Sequence, residues 1–337
     1  MRDTKTKKQK AMRIIKNITI SLISIILLLA IIGLIYERSA QKQALNEYPA
    51  PGKLVQVDEN TLHIHSKGNK KPTVVIESGL GSWSLSWDEV QKEVSKYATV
   101  VTYDRAGLGW STEGHTSRTG DQVITELNAL LKKTGYEGPY IFIGHSMGGL
   151  YTQLYASKYP DEVAGMILVD TRPPNFENEF PEMKENYANQ AEQMKLYKFL
   201  SNFGIVRLLS GGAIHPGYSE ESKLINQAIG FQGASFDAIR NEMLAMDEVD
   251  QEVLAIESLP DVPVIVISHG IPEDMSEMGL SNDQVEQSWQ MYQQKLADSF
   301  KVSQLLIAED SRHNIMLEQP EIIIESTKEM MEQLNLQ

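Results

Sequence analysis

The chain has 337 residues and an apolar fraction of 42%, ordinary for a protein with a buried core, and this length does not demand a second domain. It contains no cysteine, which excludes disulfides, a thiolate nucleophile and thiolate metal sites. The net charge is −14. Residues 1–16 hold seven basic residues against one acidic residue, a net of +6, so the remainder carries −20. Because an acidic body repels phosphate, we expect no nucleic-acid partner.

The N-terminal region has the pattern of a membrane segment. Residues 18–36 contain no charged side chain, and a helix of this length spans about 28 Å, close to the hydrocarbon thickness of a bilayer. The basic segment 1–17 precedes this run, and Glu37 and Arg38 follow it. Since Lys and Arg collect on the cytoplasmic side, we expect a single-pass helix in the cell membrane, with the N-terminus cytoplasmic and the catalytic domain extracytoplasmic.

Two other interpretations of this run are a cleaved signal peptide and a buried core helix. A signal peptide has a shorter apolar region, of about 7–15 residues, followed by small residues at the cleavage site. Here the run is longer, and Arg38 stands among the residues where small side chains would be needed. The pattern therefore favours an uncleaved anchor.

Residues 37–52 are polar and end in Pro49, Pro51 and Gly52, which predicts a linker. Beyond it, residues 53–337 alternate short apolar runs with helical patterns. Strands are predicted at 54–57, 61–65, 72–77, 98–103, 140–144, 164–169, 262–268 and 303–308, the first two as a hairpin. Helices are predicted at 87–97, 121–134, 146–159, 282–297 and 321–334. Such alternation is typical of an α/β domain with a mostly parallel sheet covered on both faces.

Residues 171–260 interrupt this alternation. They contain no convincing strand, and helix-like stretches at 183–200 and 234–246 dominate, with a break at Gly211-Gly212. An insertion of this length in a sheet domain is usually functional. We predict a helical cap over the active site.

The sharpest motif is Gly144-His145-Ser146-Met147-Gly148-Gly149, directly after a predicted strand and before a predicted helix. This is G-x-S-x-G in the strand–turn–helix context that gives the motif its meaning. Glycines avoid collisions at so tight a turn, and the helix N-terminus favours developing negative charge. The sequence therefore predicts Ser146 as a nucleophile and the amide of Met147 as an oxyanion donor. The alternative is a plain tight turn.

With three further features, this motif resembles the α/β-hydrolase superfamily. Residues 77–82, ESGLGS, stand where the family has its oxyanion loop, although the family more often has His-Gly where this chain has Ser-Gly. Residues 103–111, YDRAGLGWS, resemble the family's D-x-x-G-x-G-x-S turn, and a histidine follows the last strand. The resemblance implies an α/β-hydrolase fold with an eight-stranded sheet, flanking helices and a helical cap. It also implies the amide of Leu80 as the second oxyanion donor. Asp104 and Arg105 are candidates for catalytic residues, but we favour a role as turn and packing residues that brace the nucleophile region.

Seven histidines are candidates for the base. In this fold the chain order is Ser, acid, His, and His313 alone fits that order, in the loop after the last predicted strand. A surface loop residue is the alternative for His313. The other histidines receive no catalytic role, and His145 is expected to point away from the serine; they are His63, His65, His115, His145, His215 and His269.

The acid is a choice between two loops. Asp170 ends the sixth predicted strand, whereas Glu273 and Asp274 follow the seventh. Most family members take the acid after the seventh strand and some after the sixth. Relatives that combine the ESGLG and YDRAGLGWS motifs tend to have Asp at the position of Asp170, so we favour Asp170 and keep Glu273 or Asp274 as the alternative.

These residues predict hydrolysis of a carboxylic ester or related acyl bond in a small-molecule substrate, without a cofactor or metal. An amide or carbon–carbon bond hydrolase is the alternative within enzymes. Dehalogenases and epoxide hydrolases of this fold use Asp at the position of Ser146, which disfavours those activities. A ligand-binding or signalling protein on the hydrolase scaffold is the alternative from a different class, because fold does not determine function.

Overall fold

The N-terminus forms one long helix, α1 (Arg2–Glu47). The computed structural model describes residues 2–114, 117–210 and 214–336. By length and composition, one helix in these ranges is able to cross a membrane, and it is this one, over Lys10–Glu47. Its apolar side chains are exposed, as Leu28 at 58% and Ile35 at 65% illustrate. An apolar surface of this extent is unfavourable in water, which is consistent with an anchor.

The expected linker is partly helical, since α1 continues through residues 37–47 to Glu47. That part of the linker prediction is wrong. The physical reason is composition: this stretch consists largely of strong helix formers and has neither Gly nor Pro. The helix ends before Pro49, because proline disfavours the helical conformation of the residue that precedes it. Ala44 in this extension is buried against the rest of the protein.

The core of the domain is one eight-stranded sheet. Its strand order is β1-β2-β4-β3-β5-β6-β7-β8, with antiparallel pairing of β1 with β2 and β2 with β4 and parallel pairing elsewhere. The predicted eight-stranded, mostly parallel sheet is confirmed. The strands are β1 (Lys53–Val57), β2 (Asn60–Lys67), β3 (Thr73–Glu77), β4 (Thr99–Asp104), β5 (Tyr140–His145), β6 (Val163–Val169), β7 (Val264–His269) and β8 (Ser303–Ala308).

Eleven further α-helices lie in the described part of the chain. They are α2 (Asp88–Val94), α3 (Gly120–Thr134), α4 (Met147–Lys158), α5 (Phe176–Glu179), α6 (Pro181–Ser201), α7 (Ile205–Leu209), α8 (Glu220–Ile225), α9 (Gly233–Leu254), α10 (Asn282–Asp298), α11 (Ile315–Glu318) and α12 (Pro320–Gln333).

The central strands are buried on both faces. On one face, Val75 belongs to a core cluster with Leu127 of α3. On the other face, Val74 and Ile76 pack in a second cluster with Val90 of α2. Because successive strand residues point to opposite faces, the continuous apolar runs of the sequence supply both cores at once.

Between β6 and β7 the secondary-structure elements of the described residues are all helical: α5 to α9 and a π-helical segment, Asn226–Gly230. Within this cap, α6 packs along α9. The buried Arg172 guanidinium joins the start of the cap to its end, since it pairs with Glu177 and, at 2.5 Å, with Asp250. The expected break at Gly211-Gly212 lies outside the described residues.

Candidate active site

Ser146 occupies a sharp turn between β5 and α4. Its backbone angles are φ 53° and ψ −120°, a left-handed conformation that is uncommon for a residue with a Cβ. The turn is held by hydrogen bonds: the Ser146 amide donates to Val169 O at 3.0 Å, and its carbonyl accepts from the Gly149 amide at 3.0 Å. The side chain sits in a tight site, with 8% of the residue exposed. Backbone strain maintained at one serine is a frequent mark of a functional position.

The glycines around this turn are required by close backbone approach. A Cβ on Gly144 would lie 2.6 Å from Gly148 O, and one on Gly148 would lie 2.7 Å from Ser78 O. Real side chains do not tolerate such distances. The G-x-S-x-G pattern thus follows from the contact between the turn, its own helix and the loop after β3.

The loop after β3 lies directly against the serine. A Cβ on Gly79 would be 3.2 Å from Ser146 Cβ and 2.7 Å from His145 Nδ1. Within the described residues, the Leu80 amide donates no hydrogen bond to a backbone carbonyl. Met147 begins α4, where amides have no intrahelical acceptor. The two predicted oxyanion donors therefore flank the turn, and their role remains a prediction.

Arg105 braces this loop. Its guanidinium donates to the carbonyls of Ser78 and Gly79, at 2.7 and 2.6 Å, and pairs with Glu77 at 2.9 Å and Glu242 at 2.6 Å. Arg105 is buried, so these charge-assisted bonds are shielded from water. This geometry agrees with the expectation that Arg105 acts as a brace.

Asp104 also has a structural role. Its Oδ1 accepts from the Ser84 amide at 2.8 Å, and its Oδ2 accepts from the Trp110 amide at 3.0 Å and lies 2.8 Å from His63 Nδ1. The carboxylate is fully buried and ties the turn after β4 to the loop after β3.

The structure brings His313 and Asp170 together. Asp170 Oδ2 lies 2.6 Å from His313 Nδ1, and the carboxylate is fully buried at the end of β6. The alternative acids lie elsewhere. Glu273 accepts the backbone amide of His313 at 3.1 Å and is not bound to the ring, and Asp274 caps the Ser276 amide at 3.0 Å. Of the two loops, the one after β6 supplies the carboxylate on the imidazole.

His269 is a site residue that sequence reasoning missed. Its Nδ1 lies 2.7 Å from Asp170 Oδ2, and its Nε2 lies 3.0 Å from Glu286 Oε2. Its position at a strand end could have indicated this role. His269 ends β7, and the register pairs Val169 with Ile267 in the neighbouring strand. Parallel strand ends meet at one edge, so two residues just past this pair are neighbours.

The charges of this cluster follow from its contacts. Burial disfavours the charged form of His269, but its bonds to Asp170 and Glu286 outweigh that cost and raise its pKa to about 10. Burial also opposes ionisation of Asp170, yet hydrogen bonds from His269 and His313 hold its pKa well below the usual range. Asp170 Oδ1 accepts further bonds from Trp289 Nε1, at 2.8 Å, and from the His269 amide, at 3.2 Å. At neutral pH the carboxylate is ionised and His269 is an imidazolium.

His145 lies behind His313, the predicted base. Its Nε2 is 2.8 Å from the carbonyl oxygen of His313, and the two ring centroids are 4.6 Å apart. Burial lowers the pKa of His145 to about 3, so the ring is neutral and Nε2–H donates to that carbonyl. His145 therefore supports the His313 loop.

The remaining histidines lie outside this cluster. His63 pairs with Asp104, His215 lies 2.9 Å from Glu318, and burial is the main cause that lowers the pKa of His65. His115 lies outside the described residues.

Two cavities flank the candidate site. One, of about 310 Å³, is lined by His313, His269 and aromatic residues that include Tyr187 and Trp289. The other, of about 290 Å³, is lined by Leu80 together with cap residues such as Tyr218, Phe231 and Ile239. Asn314 borders both cavities. The cap thus borders space on the His313 side and on the Leu80 side of the turn.

Asp170, His269 and His313 also offer ligand atoms within 4.8 Å of one another, which raises the question of a metal. Ligand atoms bound at about 2.0–2.2 Å to a tetrahedral ion lie more than about 3 Å apart. The nitrogen–oxygen distances here are 2.6 and 2.7 Å, which fit N–H···O bonds better than a shared coordination sphere.

Comparison with known proteins agrees with this architecture. The family described as "alpha/beta hydrolase fold" matches residues 72–206. YqjL of Bacillus subtilis (strain 168) is 38% identical over 106 residues, which are 32% of this chain and 42% of YqjL, so the match spans less than half of that relative.

Two solved structures share the fold over most of the chain. An esterase from Thermogutta terrifontis has a TM-score of 0.61 at 22% identity, covering 84% of this chain and 99% of that one. The epoxide hydrolase CorEH has a TM-score of 0.64 at 17% identity, covering 84% and 98%. The chain therefore has the α/β-hydrolase fold, and this fold supports a hydrolase activity.

Proposed function

We propose that this protein is a serine hydrolase that cleaves a carboxylic ester or related acyl bond through an acyl-enzyme. Ser146 is the nucleophile, His313 the general base and Asp170 the triad acid. The observation that carries the proposal is the 2.6 Å contact of Asp170 Oδ2 with His313 Nδ1, beside a serine at a strained strand–helix turn. The bond to Nδ1 leaves Nε2 of His313 free to accept a proton.

The reaction proceeds in two halves. His313 Nε2 takes the Ser146 hydroxyl proton while Oγ attacks the carbonyl carbon, and the amides of Leu80 and Met147 stabilise the oxyanion, by about 3 kcal/mol for one donor. The protonated His313 then donates to the departing alkoxide. Water, deprotonated by His313, attacks the acyl-enzyme and releases the carboxylic acid and free Ser146. Asp170 stays ionised throughout and orients the imidazole.

The membrane helix completes the proposal. We infer that α1 anchors the enzyme by residues 18–36, with the basic N-terminus cytoplasmic and the hydrolase domain outside. The charge asymmetry around the run supports this orientation.

A fluorophosphonate probe tests the central claim, because it reacts covalently with an activated serine. The full-length protein in detergent should be labelled at Ser146 and should hydrolyse simple aryl esters, and the Ser146→Ala variant should do neither. A folded protein that resists the probe and turns over no ester would contradict the proposal and would favour a ligand-binding protein on this scaffold.

A further inference from the structure

The part of α1 beyond the apolar run is bound tightly to the cap. Two guanidinium nitrogens of Arg207, on α7, contact the Glu37 carboxylate: Nη2 at 2.7 Å and Nε at 3.0 Å. The two side chains are only 11% and 4% exposed. Arg207 also donates to Ala228 O at 2.8 Å, in the π-helical segment. A buried bidentate pair fixes geometry as well as contact, so the cap has a defined position relative to α1.

A second contact shows how far along α1 the cap reaches toward the apolar run. A Cβ on Gly33 would lie 2.6 Å from Phe203 O, so the turn between α6 and α7 touches α1 at Gly33. Gly33 is inside the uncharged run 18–36, three residues before its end at Tyr36. At about 1.5 Å per residue, this is about 4.5 Å inside the hydrocarbon boundary that the run defines.

At this level the cap exposes an apolar surface, which we call the cap apolar patch. Leu208 and Leu209 are 68% and 78% exposed. The ring of Phe199 packs on that of Phe203 with centroids 5.1 Å apart. The patch consists of Phe199, Phe203, Ile205, Leu208 and Leu209.

The arrangement on α7 is amphipathic. Ile205, Leu208 and Leu209 have the i, i+3, i+4 spacing of one helix face, and Arg207 lies on the other face, toward Glu37. Residues 199–209 hold a single charged side chain, Arg207, and Glu37 matches its charge. Within residues 199–209, no unpaired charge therefore opposes transfer into lipid.

We infer that the cap apolar patch inserts into the membrane leaflet from which the C-terminal part of α1 emerges. The lipid bilayer is the expected partner of the patch, because the patch lies beside a helix that the proposed function already places in the bilayer. Interfacial helices bury an apolar face by about 5–10 Å into the boundary of headgroups and acyl chains. Phe203 of this patch contacts α1 at a comparable depth, about 4.5 Å inside the hydrocarbon boundary. The inference rests on the anchor in the proposed function, and it adds that the cap over the active site is seated on the membrane.

The absence of cysteine from the native sequence permits a direct test with single labels. Full-length Leu208→Cys and Leu209→Cys variants carry a bimane label in vesicles of phosphatidylcholine and phosphatidylglycerol, with or without lipids bearing a nitroxide on the acyl chain. Two further labels serve as references. Leu28→Cys lies within the apolar run, and Val302→Cys, 54% exposed, precedes the N-terminal end of β8, at the opposite end of the sheet from the site. Near-UV circular dichroism verifies that each variant is folded.

The labels at 208 and 209 should show blue-shifted emission and quenching by the nitroxide lipids, as at 28, while the label at 302 behaves as in water. Quenching at 28 but not at 208 and 209 would overturn the insertion and leave the anchor intact. A blue shift at 208 without lipid quenching would indicate a contact between copies of the protein and would also overturn it. A label at position 28 that the nitroxide lipids do not quench would refute the anchor and the insertion together.

Discussion

His269 and His313 direct their Nδ1 atoms at the same oxygen, Oδ2 of Asp170, at 2.7 and 2.6 Å. His269 also contacts Glu286 at 3.0 Å, and its two carboxylate partners raise its pKa to about 10 despite burial. Asp170, His269 and Glu286 together therefore carry a net charge of −1 at neutral pH, the same as a lone aspartate. His313 thus faces a negative partner that a second histidine holds in place, and we infer that His269 is a positioning residue.

Replacement of the nucleophile removes one hydroxyl and little packing. Ser146→Ala should abolish ester turnover while the thermal unfolding temperature stays close to that of the wild type, because only the oxygen is lost. Steady-state assays with an aryl ester measure the loss. A variant that keeps more than about a thousandth of the wild-type turnover would refute the assignment, given the losses known for triad members.

Replacement of the acid distinguishes the two loops. Asp170→Asn should reduce kcat by about ten-thousand-fold, because the amide no longer holds the His313 tautomer that accepts the serine proton. Glu273→Gln and Asp274→Asn are matched controls and should cost little, since neither carboxylate contacts the His313 ring. If Glu273→Gln were as damaging as Asp170→Asn, the choice of acid would be wrong.

The imidazolium of His269 predicts a pH dependence of stability. Because its folded pKa, about 10, exceeds the unfolded value of about 6.5, its stabilising contribution is fully present below pH 6.5 and is lost as pH rises through 10. His269→Gln should therefore lower the free energy of unfolding strongly at pH 6 and much less at pH 10. Urea unfolding at both values measures this. A difference between variant and wild type that does not change with pH would show that His269 is neutral.

Loss of the brace on the loop after β3, the predicted oxyanion loop, should destabilise the fold. Arg105→Ala leaves Glu77 and Glu242 buried without their cation, and removal of one partner of a buried pair costs about 3–5 kcal/mol. The comparison is Arg312→Ala, an exposed arginine near the site, which should change the free energy of unfolding little. Urea titrations of both variants decide the point. Equal stabilities would mean that Arg105 does not brace this loop.

Protease accessibility tests the proposed orientation in the membrane. Protease added to intact cells should digest the hydrolase domain, because the basic N-terminus is expected on the cytoplasmic side. Protection of the whole domain in sealed, right-side-out vesicles would refute the orientation. A soluble mature form that begins near residue 40 would instead indicate a cleaved signal.

The elements that local pattern determines were predictable from sequence. Apolar runs of strand length, helical periodicity and the G-x-S-x-G motif depend on neighbouring residues, so the sheet and the turn at Ser146 follow from them. Helix α1 shows the limit of this reasoning, since the polar composition of 37–47 indicated a linker but its residues are helix formers docked on the cap.

Only the tertiary structure decided how the site is completed. Asp170, His269 and His313 are separated by 99 and 44 positions, and only the parallel pairing of β6, β7 and β8 brings these strand ends to one edge. Glu37 and Arg207, 170 positions apart, likewise meet only in the folded structure, where the cap packs on α1. Charge pairs of this kind leave no periodic pattern in a single sequence. Each pair depends on which distant elements pack side by side in the folded protein.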